Sequence, residues 1–252
     1  MALYDSIGRN YAELRRPDQR IASAIDAALG DALSVVNIGA GTGSYEPLNR
    51  TVIAVEPSEV MIRQRPTWAA PCLRGAAEAL PLGTASVDAA MAVLTIHHWA
   101  DIERGLGEMA RVARKRVVLL TWVPDAEPFW LTEDYFPEIA AHDRKIFPNA
   151  AALIAMLERN IGSVHMAPVP IPHDCTDGLL CAYWRRPDSY LSAEIRSAMS
   201  SFARIDAEAG LARLRTDLAS GRWAERNSHL LALDTMDFGY RLACCEIGGK
   251  NS

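Results

Sequence analysis

The chain has 252 residues, of which 50% are hydrophobic, and a formal net charge of −5 at pH 7. This length is enough to bury a substantial core, as one large α/β domain or as a domain with a cap. The acidic charge argues against a nucleic-acid surface, which needs a basic stripe, and no apolar run reaches the roughly 18 residues of a membrane span. We therefore expect neither nucleic acid nor membrane as a partner.

The amino terminus and the cysteines favour a cytoplasmic protein. Residues 1–5 lack the charged and apolar regions of a secretory signal. The five cysteines are odd in number and follow no framework spacing, so reduced thiols are the simpler interpretation. Cys175 and Cys181 are not at a zinc-binding spacing, and no second pair completes a site. We expect buried free thiols and no metal.

The first predicted elements are a helix and a strand that ends in three glycines. Residues 19–30 have apolar positions at helical spacing and end at a glycine. Residues 35–38 are apolar and predict a buried strand, which continues directly into Gly39, Gly41 and Gly43. Glycine allows the backbone to turn sharply or approach a ligand closely. Such a turn before a helix places backbone N–H groups beside a pocket at the strand's carboxyl end.

The second strand, predicted over residues 52–55, ends in Glu56. A carboxylate at the tip of the neighbouring strand can accept hydrogen bonds from both hydroxyls of a ribose. The glycines and this acid together indicate a nucleoside-containing ligand that lies across two adjacent strands. Ser58 is a suitable N-cap for the next helix, which Pro66 ends.

The elements that follow alternate between short strands and helices. They are a strand at 72–74, a strand at 87–94, a helix from the N-cap Asp101 to about 114, and a strand at 116–121. The strand at 87–94 is nearly continuous in apolar residues, as expected of a strand buried on both faces. This alternation predicts a parallel, doubly wound sheet with right-handed crossovers.

The second half of the chain departs from that alternation. It is predicted to contain an irregular, aromatic-rich segment at 125–148, a helix at 149–160, a strand at 163–170, a mostly helical stretch at 176–232 and a last strand at 237–247. The helical stretch is then an insertion in the closing hairpin of the sheet. We expect an N-terminal lid segment at 1–30, a core formed by 31–175 and 233–252, and a helical cap at 176–232.

Four motifs decide between two cofactor classes. The dinucleotide fingerprint has the spacing G-x-G-x-x-G, and here the third glycine comes one residue early. The motifs, in chain order, are Gly39 to Gly43, Val52 to Ser58 with Met61, Ala76 to Leu82, and Val87 to Trp99. Their order and spacing resemble those of class I S-adenosylmethionine-dependent methyltransferases, of the methyltransferase-11-like type that acts on small molecules.

The resemblance implies a seven-stranded, mostly parallel Rossmann-like sheet and S-adenosyl-L-methionine as cofactor, with S-adenosyl-L-homocysteine as product. The cofactor-binding residues that it implies are Tyr11, Arg15, Gly39, Ala40, Gly41, Gly43, Glu56, Pro57, Met61, Ala77, Glu78, Leu94 and Thr95. Tyr11 and Arg15 belong to a segment that folds over the cofactor in such enzymes; alternatively its tyrosines only pack on the domain. Many family members have Asp-Ala-Glu where this chain has Ala76 to Glu78, so the usual carboxylate bond to the adenine amino group is missing.

Catalysis by methyl transfer needs a base only when the acceptor must lose a proton. His97 and His98 follow the fourth strand, and histidine titrates near neutral pH. Alternation points one of them into the pocket, and His97 is the first candidate; the alternative is that both are structural. His173 is the second candidate because Asp174 lies beside it, although Asp174 can instead cap the next helix.

The acceptor is expected to be a small, partly apolar molecule under an aromatic-lined cap. Residues 183–186, Tyr-Trp-Arg-Arg, either line its pocket or form a structural helix with solvated arginines. The chain is expected to be a monomer or a homodimer. Two other functions stay open: an NAD(P)-dependent oxidoreductase that uses the same glycine loop, and a protein that binds S-adenosylmethionine without catalysis.

Overall fold

A mixed sheet of seven strands organises the computed structural model, which describes residues 15–248. The strands of the chain are β1 Ser34–Ile38, β2 Thr51–Glu56, β3 Cys72–Arg74, β4 Val87–Val93, β5 Ala113–Trp122, β6 Val164–Pro168, β7 Ile171–Pro172, β8 Thr235–Met236 and β9 Tyr240–Glu246. The large sheet has the order β3-β2-β1-β4-β5-β9-β6. Its first five strands are parallel, and β9 runs antiparallel to both β5 and β6. The predicted doubly wound sheet with a closing hairpin is confirmed.

Helices cover both faces of this sheet. They are α1 Gln19–Leu29, α2 Glu59–Arg63, α3 Ile102–Val112, α4 Pro137–Ile146, α5 Ala150–Asn160, α6 Ala193–Ser197, α7 Glu208–Ala219 and α8 Arg222–Asn227. The predicted N-caps are confirmed, because Ser58 accepts from the Met61 N–H and Asp101 from the Arg104 N–H. These caps satisfy backbone donors that a helix leaves without a partner.

Alternate residues of the central strands face two separate apolar layers. Val35 packs with α1 and the aromatic residues of the second half, whereas Val36 and Ile38 pack with α3 and α5. β4 is buried almost throughout. The sheet is therefore covered on both faces, which explains why its strands are continuous apolar runs.

The helical insertion lies between β6 and β9, and the pair β7–β8 joins its two ends. Its interior is aromatic: Trp184 and Tyr190 are fully buried, and Trp130, outside the insertion, donates to the Trp184 carbonyl at 3.0 Å. The insertion thus packs on the segment that follows β5. The predicted strands at 163–170 and 237–247 were too long. Each includes residues that connect a strand of the large sheet, β6 or β9, to the small β7–β8 pair.

The prediction of an irregular segment at 125–148 is wrong. Residues Leu131–Tyr135 form a turn of π-helix, and α4 follows at once. Pro137 occupies the first turn of α4, where its missing N–H costs nothing, and Pro148 follows the end of the helix. The prolines that suggested irregular backbone instead mark the boundaries of a helix.

Candidate active site

Two neighbouring cavities lie at the carboxyl ends of the parallel strands. The first, called here the glycine cleft, has a volume of about 410 Å³ and follows β1, β2 and β4. The second, called the aromatic chamber, has a volume of about 150 Å³ and lies between β4, β5, α4 and the insertion. Arg15 and Leu94 line both cavities. The pocket predicted at the carboxyl ends of the strands is therefore accompanied by a second cavity, and the two share part of a wall.

The glycine loop has the backbone that its sequence predicts. Gly39 and Gly41 have φ values of +65° and +52°, in the left-handed region that favours glycine. A Cβ on Gly39 would lie 2.1 Å from Oγ1 of Thr95, so no side chain fits there. The Gly39 N–H donates to the Val55 carbonyl at 2.8 Å, which places the loop across the ends of β1 and β2.

Glu56 lies at the end of β2, as predicted, and holds the loop as well as facing the cleft. Its buried carboxylate accepts the Gly41 N–H at 2.8 Å and the Ser58 N–H at 2.9 Å, each on a different oxygen. A carboxylate oxygen has two lone pairs and can accept more than one hydrogen bond, as a carboxylate that binds both a loop and a ribose must do. Within the described chain, Oδ1 of Asn37 is buried without a hydrogen-bond partner in the wall of the same cleft. A nucleoside with two ribose hydroxyls fits this set of groups.

A buried ion pair below the glycine loop was missed by the sequence analysis. Arg65 and Glu46 lie 2.7 Å apart, and both side chains are at most 5% exposed. Arg65 also donates to the Gly41 carbonyl at 3.1 Å, and Asn37 donates to Glu46 at 3.2 Å. The only sequence signal is an acid shortly after the glycines, because Arg65 lies beyond the end of the next helix, α2.

Gly43 belongs to this lower layer and does not line the glycine cleft. A Cβ at this position would lie 3.2 Å from Oε2 of Glu46 and 3.1 Å from Cβ of Ala69. The predicted contact between Gly43 and the cofactor thus has no support in its position. The glycine instead allows the loop to pack closely on the buried ion pair.

Most of the other predicted cofactor residues meet at the cleft. Its lining includes Arg15, Gly39, Ala40, Gly41, Glu56, Pro57, Met61, Ala77, Glu78, Leu94 and Thr95. Further residues that were not predicted from the sequence also line the cleft: Asn37, Thr42, Ser44, Ala76, Val93, Trp99 and Ala100. Tyr11 lies outside the described residues.

The loop on the far side of the cleft is attached to the start of α3. The Glu78 carboxylate accepts the N–H groups of Ala100 at 2.7 Å and Asp101 at 3.2 Å. Arg104 donates to the Glu78 carbonyl at 2.9 Å. These bonds hold Ala77 and Glu78 in the cleft wall without the carboxylate that many family members have at position 76.

The two histidines face different cavities. His97 lines the aromatic chamber and His98 lines the glycine cleft, so the prediction that only one of them faces a pocket is wrong. The reason is that β4 ends at Val93, Leu94 has a φ of +53°, and Ile96–His98 form a turn of 3₁₀-helix. Strand alternation does not extend into this turn.

Burial keeps both histidines neutral at pH 7. Burial is the main cause that lowers the pKa of His97 to about 2. The neighbouring His98 and the charge of Arg204 contribute less. Burial and Arg204 lower the pKa of His98 to about 4. The His97 ring centroid lies 4.2 Å from that of Phe147, on the chamber wall. His97 therefore has the position of a candidate catalytic residue but not the charge of an acid at neutral pH.

Arg15 connects the start of the described chain to the insertion. Its guanidinium donates to both carboxylate oxygens of Asp177, at 2.5 and 3.2 Å. Tyr45 donates to the same carboxylate at 2.8 Å, and Asp177 is buried. This group holds Arg15 at the boundary of the two cavities.

His173 and residues 183–186 lie elsewhere. His173 follows β7, donates its N–H to the Asp234 carbonyl at 2.9 Å, and lines neither cavity. Asp174 is exposed and pairs with Arg20 at 2.7 Å, so it does not cap a helix. Trp184 is fully buried, and Arg186 donates to the carbonyls of Cys175 and Ala182. Residues 183–186 line neither cavity, so the expected pocket role has no support, but they form turns rather than a helix and Arg186 is bonded rather than solvated.

The aromatic chamber contains residues that the sequence analysis did not select. Ala140, Asp143 and Phe147 line it from one face of α4, at the i, i+3, i+7 spacing of a helix. Trp122, Phe129, Phe238 and Tyr240 form the opposite walls. Asp143 is only 9% exposed, and burial raises its pKa to about 6. The helical spacing is visible in the sequence, but it was hidden by the expectation of irregular backbone.

Residues 15–248 contain neither a metal-binding cluster nor a membrane-spanning helix. In that part of the chain, no three or more His, Cys, Asp or Glu side chains come together as a metal-binding group. None of the helices described there is long and apolar enough to cross a membrane. All five cysteines are free thiols.

Known proteins match both the sequence motifs and the fold. The family model for a methyltransferase domain matches residues 36–121. A candidate methyltransferase from an antibiotic biosynthesis pathway of Anabaena variabilis is 36% identical, with a TM-score of 0.86 over 92% of this chain and 98% of that one. No curated protein has a matching sequence.

Two more distant structures share the fold alone. A candidate histamine N-methyltransferase of Thermotoga maritima is 23% identical, with a TM-score of 0.54 over 67% of this chain and 84% of that one. Phosphoethanolamine N-methyltransferase 2 of Haemonchus contortus, solved with S-adenosyl-L-methionine, is 13% identical, with a TM-score of 0.56 over 97% of this chain and 56% of that one. Together with the glycine loop and the acid at the end of β2, the Anabaena match identifies the chain as a member of the class I S-adenosylmethionine-dependent methyltransferase family.

Proposed function

We propose that the chain transfers a methyl group from S-adenosyl-L-methionine to a small-molecule acceptor by in-line displacement. The observation that carries this proposal is the shared wall of the two cavities, since Arg15 and Leu94 line both the glycine cleft and the aromatic chamber. A donor in the cleft and an acceptor in the chamber would meet at that wall.

The residues of the glycine cleft are proposed to hold the cofactor. Glu56 binds the ribose hydroxyls, the backbone of Gly39 to Gly41 supports the sugar, and Ala77 with Glu78 borders the adenine. Arg15 is placed for the methionine end. When bound, the cofactor supplies an activated methyl group with a neutral leaving group.

The remaining work of this chain is to orient the acceptor and exclude water. Alignment of two reactants supplies about 7–11 kcal/mol of a barrier, and the aromatic walls keep the chamber apolar. His97, neutral and packed on Phe147, is proposed to position the acceptor beside the junction. It can accept a proton only from a group that is strongly acidic in the complex.

The size of the chamber supports a small acceptor. A cavity of about 150 Å³ holds a molecule the size of benzene in other proteins, and this chamber has that volume. Residues 176–232 act as a cap on a core of 31–175 and 233–252. The helix α1 adds to that core, because its Ile21, Ile25 and Leu29 are buried against the sheet, so a lid role is proposed only for the segment before α1. We further propose that the protein is cytoplasmic, in accord with its free cysteines, and acts as a monomer or homodimer without nucleic acid.

Calorimetric titration with S-adenosylhomocysteine and, separately, NADH tests the cofactor. We expect S-adenosylhomocysteine to bind and NADH not to bind; binding of NADH alone would establish an oxidoreductase instead. Incubation with methyl-labelled cofactor and a metabolite extract tests catalysis. Binding of S-adenosylhomocysteine without transfer to any component would favour a non-catalytic binding protein.

A further inference from the structure

Asp143 differs from every other buried acid of the described chain. The others each accept a hydrogen bond on a carboxylate oxygen: Asp18 from Arg20, Glu46 from Arg65, Glu56 from Gly41, Asp88 from Arg114, Asp177 from Tyr45 and Asp217 from Tyr135. Within residues 15–248, no hydrogen-bond donor reaches the carboxylate of Asp143 and no cation lies within ion-pair distance of it; the charge of Arg204 acts on it only from farther away. Burying a carboxylate without a hydrogen-bond donor costs free energy. Such an exception in a folded protein indicates a functional group.

The position of Asp143 gives this carboxyl group a ligand-facing role. It lies on the chamber face of α4, between Ala140 and Phe147. Arg15 of the chamber wall is paired with Asp177. The other charged residues of that wall are exposed: Glu127, Glu133, Arg144 and Arg204. Arg204 is bonded to His142 rather than to Asp143. Asp143 is therefore the one buried charged side chain of that wall, among the described residues, that lacks a partner.

The rest of the wall favours a positively charged ligand group. Trp122, Phe129, Phe147, Phe238 and Tyr240 present aromatic rings to a space of about 150 Å³. An ammonium is attracted to the face of an aromatic ring and forms strong hydrogen bonds to a carboxylate. In so small a chamber, a ligand nitrogen can contact both kinds of group.

We propose that the acceptor is a primary or secondary amine, which enters the aromatic chamber as its ammonium ion and is bound and deprotonated by Asp143. This inference rests on the proposed methyltransferase function and names its substrate class. The carboxylate takes one proton from the ammonium and leaves the nitrogen with a lone pair. The nitrogen attacks the methyl carbon of the donor, and the N–C bond forms as the C–S bond breaks.

Charge and atoms balance in this step. The electron pair of the broken C–S bond stays on sulfur, which becomes the neutral thioether of S-adenosylhomocysteine. The positive charge passes to nitrogen, and the product leaves as an N-methylammonium ion. Asp143 returns its proton to solvent after the product has left. Burial raises the pKa of Asp143 to about 6, which suits a group that alternates between its two protonation states near neutral pH.

The acceptor class is tested with a metabolite extract and methyl-labelled S-adenosylmethionine. One half of the extract is first treated with an acetylating reagent that blocks primary and secondary amines. We expect label to enter a basic product in the untreated half and to be absent from the treated half. Equal labelling of both halves, or label in an ether or ester, would overturn the amine assignment and leave the methyltransferase function intact.

Asp143→Asn tests the residue, with Glu138→Gln, an exposed position of the same helix, as the matched control. With the labelled extract component as substrate, kcat/KM should fall at least about 100-fold in Asp143→Asn and stay unchanged in Glu138→Gln. S-adenosylhomocysteine affinity should match the wild type in both variants. The unfolding temperature should be unchanged in Glu138→Gln and no lower than the wild type in Asp143→Asn, because the neutral amide removes a costly buried charge. If the wild-type protein does not bind S-adenosylhomocysteine, the proposed methyltransferase function itself is contradicted.

The pH profile separates a proton-accepting role from a structural one. The groups that face the chamber with Asp143 are Arg15, His97, Glu127, Glu133, Arg144, Cys181, Arg204 and Tyr240. The wild-type profile of kcat/KM should rise with pH through a limb near pH 6, and Asp143→Asn should lose that limb. A variant that keeps both the limb and the rate would refute the role of Asp143.

Discussion

The carboxylate of Glu56 accepts the backbone N–H of Gly41 at 2.8 Å, so the acid at the end of β2 holds the glycine loop that follows β1. The same carboxylate faces the cleft where the cofactor is proposed to bind. One side chain thus joins two neighbouring strands and shapes the cavity between them. Loss of that side chain should affect the loop and the ligand together.

Glu56→Ala should weaken binding of S-adenosylhomocysteine by about 1.5–3 kcal/mol, because hydrogen bonds to a charged group are lost. Isothermal titration calorimetry measures the change. Glu59→Ala is the matched control, since Glu59 is exposed and pairs with the exposed Arg63 and Arg74. Unchanged affinity of the Glu56 variant would show that the cofactor binds elsewhere.

Gly41→Val should abolish detectable binding of S-adenosylhomocysteine. Gly41 has a φ of +52°, which a branched residue rarely adopts, and the side chain would enter the ligand's path. Gly107→Ala is the control: no atom lies within 4 Å of a Cβ there, and alanine in a helix should raise the free energy of unfolding by about 0.5–1 kcal/mol. Tight binding by the Gly41 variant would contradict the assigned cleft.

Arg65→Met should lower the free energy of unfolding by about 3–5 kcal/mol, because it leaves the buried charge of Glu46 without its ion-pair partner. Urea denaturation without ligand measures this loss. Arg63→Met, at a side chain that is 76% exposed, should change stability by no more than about 0.5 kcal/mol. The double variant Glu46→Leu/Arg65→Met should have a higher free energy of unfolding than Arg65→Met, because no unpaired charge remains buried. A lower free energy of unfolding in the double variant would argue against charge burial as the cause.

His97→Ala should lower turnover about 10- to 100-fold while the affinity for S-adenosylhomocysteine stays the same, because a misplaced acceptor loses alignment with the donor. Steady-state kinetics with the labelled acceptor and calorimetry measure the two effects. His173→Ala is the comparison, and we expect it to be silent because His173 lines neither cavity. If His97→Ala leaves turnover unchanged, His97 is a structural residue and does not position the acceptor.

Asp18 should make the stability of the protein depend on pH in acid. Hydrogen bonds from the Arg20 side chain, together with those from the Thr176 and Arg20 backbone, lower the pKa of Asp18 from 3.8 to about 2. A carboxyl group with a lowered pKa stabilises the fold above its unfolded pKa, and this contribution is lost as the pH falls from about 4 to about 2.

Urea midpoints measured across that range test this dependence. The difference between wild type and Asp18→Asn should shrink as the pH falls from about 4 to about 2. Asp188→Asn, at an exposed position, should follow the wild-type curve at every pH. A constant difference between wild type and Asp18→Asn would show that the carboxylate charge does not contribute.

The glycine cleft could be predicted from the sequence because its parts are close in the chain or occur at the ends of adjacent strands. Gly39, Gly41 and Glu56 follow two apolar runs, and those runs indicate buried strands whose ends must meet at one edge of a parallel sheet. The caps at Ser58 and Asp101 were also predictable, since capping depends on neighbours three residues away.

The aromatic chamber was decided by tertiary structure. Asp143, Cys181 and Arg204 come from separate helices and turns, and no local pattern determines which of them share a wall. The buried pair of Glu46 and Arg65 is likewise formed by packing. Spacing along the chain reports which residues share a strand or helix face, whereas a contact between distant segments depends on how whole elements pack. This sequence by itself therefore determined the glycine cleft, whose parts follow two adjacent strands, and only the packing of the insertion on α4 formed the aromatic chamber in which the acceptor is proposed to bind.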